Sequence, residues 1–375
     1  TTMASRLRAV AGGRFARLDL AAAVATACLA VIGLGMAWIN TRSYEQPIIG
    51  FGSIFTRSLL WTAIGVAVYF VTAFSNWRWV RTFAWPLYFA NLLLLFVTLV
   101  YGEDSGGNAR ALALFGVPIQ SSELAKILCV VALATVLSRG DRERSGRRDI
   151  LITALVIMPP FILVALQPDM GTALVLAAAL FGALYLSGVA TRWIALLATF
   201  AAAAFPLTWI LFVSDYQKQR ILAFVDPNAD PAGPRYQLFR SLEAIAGGGM
   251  FGIGFDGTAL ANPLPVQESD FVFAALVRSF GFVAGALVIG LVGLLVARLV
   301  VHAWNSPDAF GVVLGGGLAA VILFQALVNI GMNLGIAPIT GIPLPFVSYG
   351  GASFVSLAFG LGLVQSHRVH VGAVD

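Results

Sequence analysis

The residue with the clearest chemical potential lies where a long polar loop meets an apolar segment. From Pro263 the chain reads Pro-Leu-Pro-Val-Gln-Glu-Ser-Asp-Phe-Val-Phe-Ala, which places the carboxylate of Asp270 at that boundary. A carboxylate is costly to desolvate at the edge of a membrane, so an acid retained there marks a candidate functional site. An ordinary loop carboxylate is the commoner alternative. Because so much of the polar character of the chain precedes Asp270, the position favours chemistry at a membrane surface.

A second group of polar residues surrounds the start of another apolar segment. Asn108-Ala-Arg110 precedes Gln120-Ser-Ser-Glu-Leu-Ala-Lys126, so Glu123 and Lys126 stand three residues apart. On a helix this spacing places both side chains on one face, where they can form an ion pair. The pair either lets two charges enter the membrane or takes part in catalysis or head-group binding, and the spacing favours neither alternative.

A proline turn separates two further apolar segments at Gln167-Pro-Asp169. Proline ends the first helix. Asp169 then stands where a carboxylate can cap the next helix and complement its dipole. Capping is the interpretation that the local pattern favours, and direct contact with a substrate is the alternative.

The longest polar stretch, 214–269, contains four cations: Lys218, Arg220, Arg235 and Arg240. Apolar residues recur from Tyr236 to Ile245 with helical spacing, which predicts an amphipathic helix against the membrane. The glycine-rich run 247–254 follows no apolar strand. It therefore indicates close backbone approach or an anion-binding nest, and not nucleotide binding.

Proline and glycine are dense in the segment 338–351, which contains Ser348 and follows Asn329-Ile-Gly-Met332. This composition excludes a continuous helix. Irregular backbone at membrane depth is tolerated where it lines a cavity. The segment is therefore predicted to form a re-entrant wall of a polar pocket.

Composition requires a membrane protein. Of the 375 residues 59% are hydrophobic and only 11% are charged, with a mean hydropathy of +0.88, which excludes a soluble domain of this size. The net charge is +5, and the basic residues lie in short loops between apolar runs. This distribution is typical of residues that orient a membrane protein and not of a nucleic-acid-binding surface. Cys28 and Cys129 lie in apolar runs and are predicted to be buried thiols. The histidines show no metal-ligand spacing.

The predicted fold class is an all-α polytopic membrane protein. Segments of about 20 apolar residues, the length that spans a bilayer, occur about ten times, near 18–39, 53–75, 79–101, 121–138, 150–168, 169–188, 192–213, 270–300, 308–334 and 350–367. One membrane domain is expected over 18–370, with tails 1–17 and 371–375. Thr1 and Thr2 precede Met3 and are expected to be an expression remnant.

Lysine and arginine in the short loops set the expected orientation. An N-terminal arginine cluster and alternate loops, the densest at 139–148, are basic. An even number of spans then places both termini in the cytoplasm. The segments 102–120, 214–269 and 335–349 are expected on the outer face, so the polar residues of unusual sequence share one side.

Five stretches together resemble the SEDS family (shape, elongation, division and sporulation) of polytopic membrane glycosyltransferases. They are Gln120-Ser-Ser-Glu-Leu-Ala-Lys126, Gln167-Pro-Asp-Met-Gly-Thr172, Asp226-Pro with Tyr236-Gln, Ser269-Asp-Phe-Val-Phe273 and Pro343-Leu-Pro-Phe-Val-Ser-Tyr-Gly-Gly351. They follow the family's order and cover essentially the whole chain. The amino-acid sequence at 329–332 and 338–345 is more similar to the rod-shape branch, RodA, than to the division branch, FtsW.

The resemblance implies an enzyme that polymerises lipid II into peptidoglycan strands at the outer face of the cytoplasmic membrane during cell elongation. A sugar hydroxyl must attack an anomeric carbon while undecaprenyl diphosphate leaves, which requires a base near the acceptor and positive charge near the diphosphate. Asp270 is the expected base. Residues expected to contact the substrate are Arg110, Glu123, Lys126, Asp169, Arg220 and Ser348.

The same resemblance implies partners. A single-span class B penicillin-binding protein is expected to supply crosslinking and activation, beside lipid II and the membrane lipids, and nucleic acid is not an expected partner. No cofactor is expected with certainty, and a divalent cation, Mg²⁺ or Mn²⁺, is an alternative counter-ion for the diphosphate.

This sequence departs from the family pattern at four positions. Serine stands in place of the usual proline at Ser121 and of threonine at Ser269, Arg278 replaces an acidic residue, and Ala352 replaces a serine. A mechanism that needs a second acid at 278 is therefore not expected.

Two other function classes stay open at this stage. A lipid II flippase would distribute polar residues to both faces, whereas the unusual ones are predicted on the outer face. A non-catalytic scaffold for a penicillin-binding protein leaves Asp270 and the Glu123–Lys126 pair unexplained.

Overall fold

The structure, a computed structural model, describes residues 17–44, 47–50, 52–104, 109–114, 117–138, 146–211, 213–225, 233–254, 264 and 268–371. Its elements in chain order are α1 (Leu20–Ser43), α2 (Ile54–Phe74), α3 (Trp77–Thr82), α4 (Ala84–Tyr101), β1 (Glu103–Asp104), β2 (Ala109–Leu114), β3 (Val117–Ile119), α5 (Ser121–Leu137), α6 (Gly146–Leu166), α7 (Met170–Leu186), α8 (Thr191–Leu211), α9 (Asp215–Val225), α10 (Pro234–Gly248), α11 (Val272–Trp304), α12 (Ala309–Asn333) and α13 (Gly351–Val371).

Ten long helices in this part of the chain correspond to the ten apolar segments, with bounds that differ by about five residues at most. The all-α polytopic fold is thereby confirmed. Six of the described helices are long and apolar enough to cross a membrane: α1, α2, α4, α6 over 148–166, α11 and α12. Shorter apolar helices occur at 170–186 and 191–203.

Helix α5 occupies the centre of the bundle. Nearly all of its side chains are buried, and it packs against α4, α6, α7, α12 and α13. Small residues let the neighbouring helices α7 and α12 approach closely. A methyl group at Gly182 would contact Ala320, and one at Gly316 would contact Leu186. Small residues at a helix–helix contact are typical of membrane bundles.

Four features differ from the sequence predictions. The predicted 270–300 span is interrupted at Gly281, whose φ of 81° breaks α11. The polar segment 102–120 contains a small antiparallel sheet in the order β1-β2-β3. The polar stretch 214–269 contains α9 besides the predicted amphipathic helix, α10. Cys28 is exposed on α1, so the prediction of a buried thiol was wrong there and is confirmed for Cys129 alone.

The glycine-rich run 247–254 explains the break in α11. It lies against the broken turn backbone to backbone: Ile253 N donates to Arg278 O at 3.0 Å, and Phe282 N donates to Gly249 O at 2.9 Å. At Gly252 a methyl group would meet the carbonyl of Ser279. The prediction of close backbone approach is confirmed, because only glycine leaves room for this contact.

A charged network joins the helices at the bundle end opposite to Asp270. Asp19 caps α1 by accepting from Ala22 N at 3.1 Å, and it also accepts from Arg298 and Arg368, both at 2.8 Å. Asp19 and Arg368 lie near the two ends of the described chain, so both ends meet at the same end of the bundle. The amino-acid sequence did not indicate that these groups cluster around the buried carboxylate of Asp19.

Asp19 and Asp308 are both held in their charged forms at this end. Burial alone raises the pKa of Asp19, but hydrogen bonds from Arg298 and Ala22 and the charge of Arg368 outweigh it and lower the pKa below its usual value. The pKa of Asp308 is lowered in the same way, against burial, by His367 and by Gly311 N. Such groups stabilise the folded state above the unfolded pKa, and this stability is lost as the pH falls through the folded pKa.

We predict that Asp19→Asn lowers the free energy of unfolding by about 2 kcal/mol at neutral pH, because it removes charge-assisted hydrogen bonds from two arginines. The difference from wild type should shrink below about pH 4, where the carboxyl of the unfolded state is protonated. Thermal unfolding in detergent between pH 3 and pH 8 measures this. Asp215→Asn, at a carboxylate that is 94% exposed, is the control. An Asp19 deficit that does not depend on pH would contradict the prediction.

Candidate active site

Asp270 lies in a turn immediately before α11. Its side chain is partly buried, and its Oδ1 accepts a hydrogen bond from Ser269 Oγ at 3.1 Å. Asp270 immediately precedes Phe271, the N-cap of α11, so it lies near the positive end of that helix dipole. The side chain of Phe271, at the N-cap position, forms no capping hydrogen bond. Partners outside the helix therefore hold its first turn.

The backbone of this turn is fixed by groups from distant parts of the chain. Ser348 Oγ donates to Ser269 O at 2.6 Å and accepts from Leu344 N at 2.8 Å. Tyr349 N donates to Glu268 O at 2.8 Å. The side chain of Glu268 accepts from the hydroxyl of Tyr44 at 2.8 Å. Amide groups of α12 donate to the carbonyl oxygen of Asp270 itself.

Arg220, on α9, lies on the same side of the irregular segment as Asp270. A methyl group built at Gly341 would lie 3.3 Å from Arg220 Nη1 and 3.6 Å from Asp270 Oδ2. The guanidinium and the carboxylate thus flank one glycine. Gly341 has φ = +75°, a conformation that favours glycine, so this position leaves both charged groups room beside the backbone.

Glu123 and Lys126 form a buried ion pair between the first and second turns of α5. Lys126 Nζ lies 2.7 Å from Glu123 Oε2, and the two side chains are 1% and 3% exposed. The predicted pairing is confirmed. Nearby, Ser121 Oγ shares a hydrogen bond of 3.0 Å with Thr98 Oγ1, and Asn91 Nδ2 donates to Ser121 O.

Asp169 caps α7, as its position after the proline turn predicts. Its Oδ1 accepts from Thr172 N at 3.1 Å. Its Oδ2 accepts from Gln120 Nε2 at 3.3 Å and from Ser122 Oγ at 3.2 Å. Both carboxylate oxygens are thus engaged, and they tie the start of α7 to the start of α5.

Backbone contacts connect the Asp169 cluster to the Asp270 turn. A methyl group at Gly171 would lie 3.0 Å from Thr340 O and 2.8 Å from the Ile342 side chain. Gln217, on α9 with Arg220, donates to Pro168 O at 2.9 Å. The starts of α5, α7 and α11, together with α9 and the segment 334–350, therefore meet at one end of the bundle. The irregular backbone predicted for 338–351 is confirmed up to residue 350, where α13 follows, and its role as the re-entrant wall of a polar pocket stays a prediction.

The remaining predicted site residues contribute differently. Arg110 belongs to β2, and its side chain lies outside the described part of the structure. The hydroxyl hydrogen of Ser348 is committed to Ser269, so this residue acts on the turn through the backbone. Arg278 lies at the end of the second turn of α11, in electrostatic range of Arg240 and Glu243 on α10.

Glu268 and the two asparagines of α12 have no specific role that the sequence alone indicates. The only signal was polarity: Asn329 and Asn333 stand four residues apart, on one face of an apolar helix.

Among the described residues no group of three His, Cys, Asp or Glu side chains could hold a metal ion. A complete protein cage for a divalent cation is therefore lacking in that part of the chain.

Comparison with known proteins identifies the family. A sequence profile of the FtsW/RodA/SpoVE cell cycle proteins matches residues 21–371. The chain belongs to this family, the SEDS family. Peptidoglycan glycosyltransferase MrdB of Escherichia coli K12 is 36% identical over 82% of this chain and 84% of its own length. Stage V sporulation protein E of Bacillus subtilis is 29% identical over 92% and 95%.

Solved structures of SEDS relatives share the fold. A chain of a peptidoglycan synthase complex that coordinates polymerization and crosslinking superimposes with a TM-score of 0.78 and 31% identity, covering 94% of this chain and 98% of its own. RodA of Thermus thermophilus gives a TM-score of 0.69 and 28% identity, covering 94% and 97%. The similarity extends over nearly the full length of both chains.

We predict that Glu123→Ala and Lys126→Ala each lower the free energy of unfolding by about 3–5 kcal/mol, because each strands the other charge inside the bundle. The double variant Glu123→Gln/Lys126→Met removes both charges and should recover most of this loss. Thermal unfolding of the purified protein in detergent measures all three.

The pair Arg240–Glu243 provides a matched control with the same spacing and an N–O distance of 2.6 Å, but its side chains are 17% and 56% exposed. Glu243→Ala should therefore cost at most about 1 kcal/mol. Single variants of the buried pair that unfold like Glu243→Ala would show that the ion pair contributes little to stability.

Proposed function

We propose that this chain is a peptidoglycan glycosyltransferase that polymerises lipid II during cell elongation, with Asp270 as the general base. The observation that carries the proposal is the half-buried carboxylate of Asp270, held at the start of a membrane helix and facing the same glycine as the guanidinium of Arg220. Its relatives in the SEDS family include proteins named peptidoglycan glycosyltransferase. The fold and the family support the same reaction class.

The proposed step is a displacement at a sugar carbon. A hydroxyl of the acceptor sugar transfers its proton to Asp270 as its oxygen bonds to the anomeric carbon of the donor. The bond from that carbon to the diphosphate breaks, and undecaprenyl diphosphate leaves with the bonding electrons. Because the carboxylate accepts the proton only as the new bond forms, removal of Asp270 should affect turnover more than substrate affinity.

Positive charge near the leaving diphosphate supports the same step. Arg220 lies beside Asp270 across Gly341 and can stabilise the charge that develops on the diphosphate. Lys126 is buried and neutralised by Glu123, so the proposed contribution of this pair is to hold the start of α5 in place beside the site and not to add positive charge at the diphosphate. Arg110 and Asp169 stay proposed substrate contacts. Arg110 would add a further cation from the segment 102–120.

A divalent cation is a proposed counter-ion for the diphosphate. Mg²⁺ is usually bound through one or two carboxylates together with substrate phosphates, and Asp270 and Glu268 are two carboxylates of the described turn that could serve. Polymerisation with added Mg²⁺, Mn²⁺ or a chelator tests this part of the proposal separately.

A class B penicillin-binding protein is the proposed partner. One structural relative belongs to a peptidoglycan synthase complex that coordinates polymerization and crosslinking. We propose that this chain polymerises and that its partner crosslinks. The candidate site is proposed to face the outside of the cytoplasmic membrane, with both termini in the cytoplasm. The basic loops at the opposite end of the bundle support this orientation.

Lipid II transport is the second candidate function. The buried polar cluster around Asp19, Arg298 and Arg368 at the opposite end of the bundle favours it, since a transporter needs polar groups toward both faces. However, those groups bind one another and join three helices, which is a sufficient structural reason for them.

We predict that Asp270→Asn lowers the turnover of lipid II polymerisation about 10²- to 10⁴-fold, the usual range for loss of a general base. The variant keeps the shape of the side chain, so expression and partner binding should be unchanged. Gel analysis of labelled glycan made by the purified chain with its partner measures the rate. Asp215→Asn, on the exposed start of α9, is the control. Polymer formed at the wild-type rate by Asp270→Asn would end the assignment.

We also predict the orientation of the bundle. In a background without Cys28 and Cys129, a cysteine at Ala246 on the exposed side of α10 should react with a membrane-impermeant thiol reagent in intact cells. A cysteine at Thr191, the first residue of α8 at the other end, should react only after lysis. The reverse pattern would place the candidate site in the cytoplasm.

A further inference from the structure

Two asparagines of α12 converge on the backbone of the proposed base. Asn329 and Asn333 are four residues apart, so they lie on one face of the helix, and both are fully buried. The Nδ2 group of each donates to the carbonyl oxygen of Asp270, at 3.1 Å from Asn329 and 3.0 Å from Asn333. One carbonyl thus accepts from two side chains of the same neighbouring helix.

The same two side chains bind the structure on either side of Asp270. Asn329 Nδ2 also donates to Ile342 O at 2.8 Å, one residue beyond the glycine that Arg220 and Asp270 flank. Asn333 Oδ1 accepts from Ala274 N at 3.0 Å, and its Nδ2 donates to Asn329 O at 2.8 Å. The pair therefore links the Asp270 turn, the first turn of α11 and the irregular wall.

These bonds replace the local capping that α11 lacks. The first N–H groups of a helix have no partner within it and usually bind a side chain at the N-cap. Here Phe271 occupies the N-cap without a side-chain hydrogen bond, and Asn333 satisfies the amide of Ala274 from another helix. The direction in which the Asp270 side chain leaves the backbone is consequently set by α12.

We propose that Asn329 and Asn333 are positioning residues for Asp270, which fix the carboxylate in the geometry needed for proton transfer. The inference rests on the proposed function of Asp270. Neither amide is assigned a contact with the substrate, because both Nδ2 groups are committed to backbone oxygens. Their effect reaches the reaction through the placement of one carboxylate, where a displacement of about 1 Å can reduce the rate about 100-fold.

The test measures initial rates of polymerisation against lipid II concentration for Asn329→Ala and Asn333→Ala with the partner present. We expect kcat to fall about 10- to 100-fold while KM stays within about threefold, since substrate binding is not touched. Gln365→Ala is the matched control. Gln365 is a buried amide that binds both backbone groups of Asp19 at the opposite end of the bundle. It should lower the melting temperature and leave kcat unchanged.

A second measurement separates positioning from a general structural role. In the Asp270→Asn background, where no base remains to be placed, the alanine variants should cause no further loss of the residual rate. Losses that multiply in full with that of Asp270→Asn would overturn the inference. So would a wild-type kcat for either single variant, or a raised KM with kcat unchanged.

One further variant covers the case in which the alanine variants do not fold. Asn333→Asp keeps the acceptor for Ala274 N and removes the donor to Asp270, so it should show the same fall in kcat, and a wild-type kcat there would overturn the inference. Failure of the wild-type complex to polymerise lipid II would instead overturn the proposed function. A wild-type rate for Asp270→Asn would overturn the assignment of Asp270 as the base, and with it the inference that the two asparagines position that base.

Discussion

The constraint on which this structure depends is that backbone polar groups inside a membrane must find partners within the protein. Most of the chain meets it by forming long helices. The turn at Asp270 and the segment 334–350 are not helical, so side chains from neighbouring elements must serve them. Asn329, Asn333 and Ser348 do so, with bonds of 2.6–3.1 Å to backbone groups of these two regions. The irregular backbone that shapes the candidate site is thus held in place by α12 and by Ser348 of the irregular segment itself.

Charge inside the bundle follows from the same constraint. The buried Glu123 is paired with the buried Lys126, and the buried Asp19 is paired with two partly exposed arginines, because an unpaired buried charge would destabilise the fold. Asp169 uses both oxygens to join two helix starts. At the site itself a carboxylate and a guanidinium lie against the same glycine, which has no side chain to separate them from the backbone.

The sequence predicted the helices well because each apolar segment has the length of a membrane span, and it predicted the ion pair and the cap because both depend on spacing along one helix. It did not predict contacts between distant segments. Asn333 is 63 residues from the carbonyl that it binds. The sequence shows an asparagine in an apolar helix but does not show which group that asparagine contacts. The break at Gly281 was missed for a related reason, since it depends on the run 247–254 lying against α11. Helix α9 was missed because its composition is polar.

Polymerisation in detergent micelles tests the central claim, that chemistry occurs at this site, most directly, since a micelle has no two leaflets between which a lipid could be moved. The purified chain with its partner, given lipid II and a β-lactam that blocks the partner's transpeptidase, should form glycan strands. The β-lactam should not inhibit this, because the proposed base belongs to another chain. Absence of polymer with every partner and divalent cation tried, together with movement of lipid II across liposome membranes, would contradict the account and favour transport.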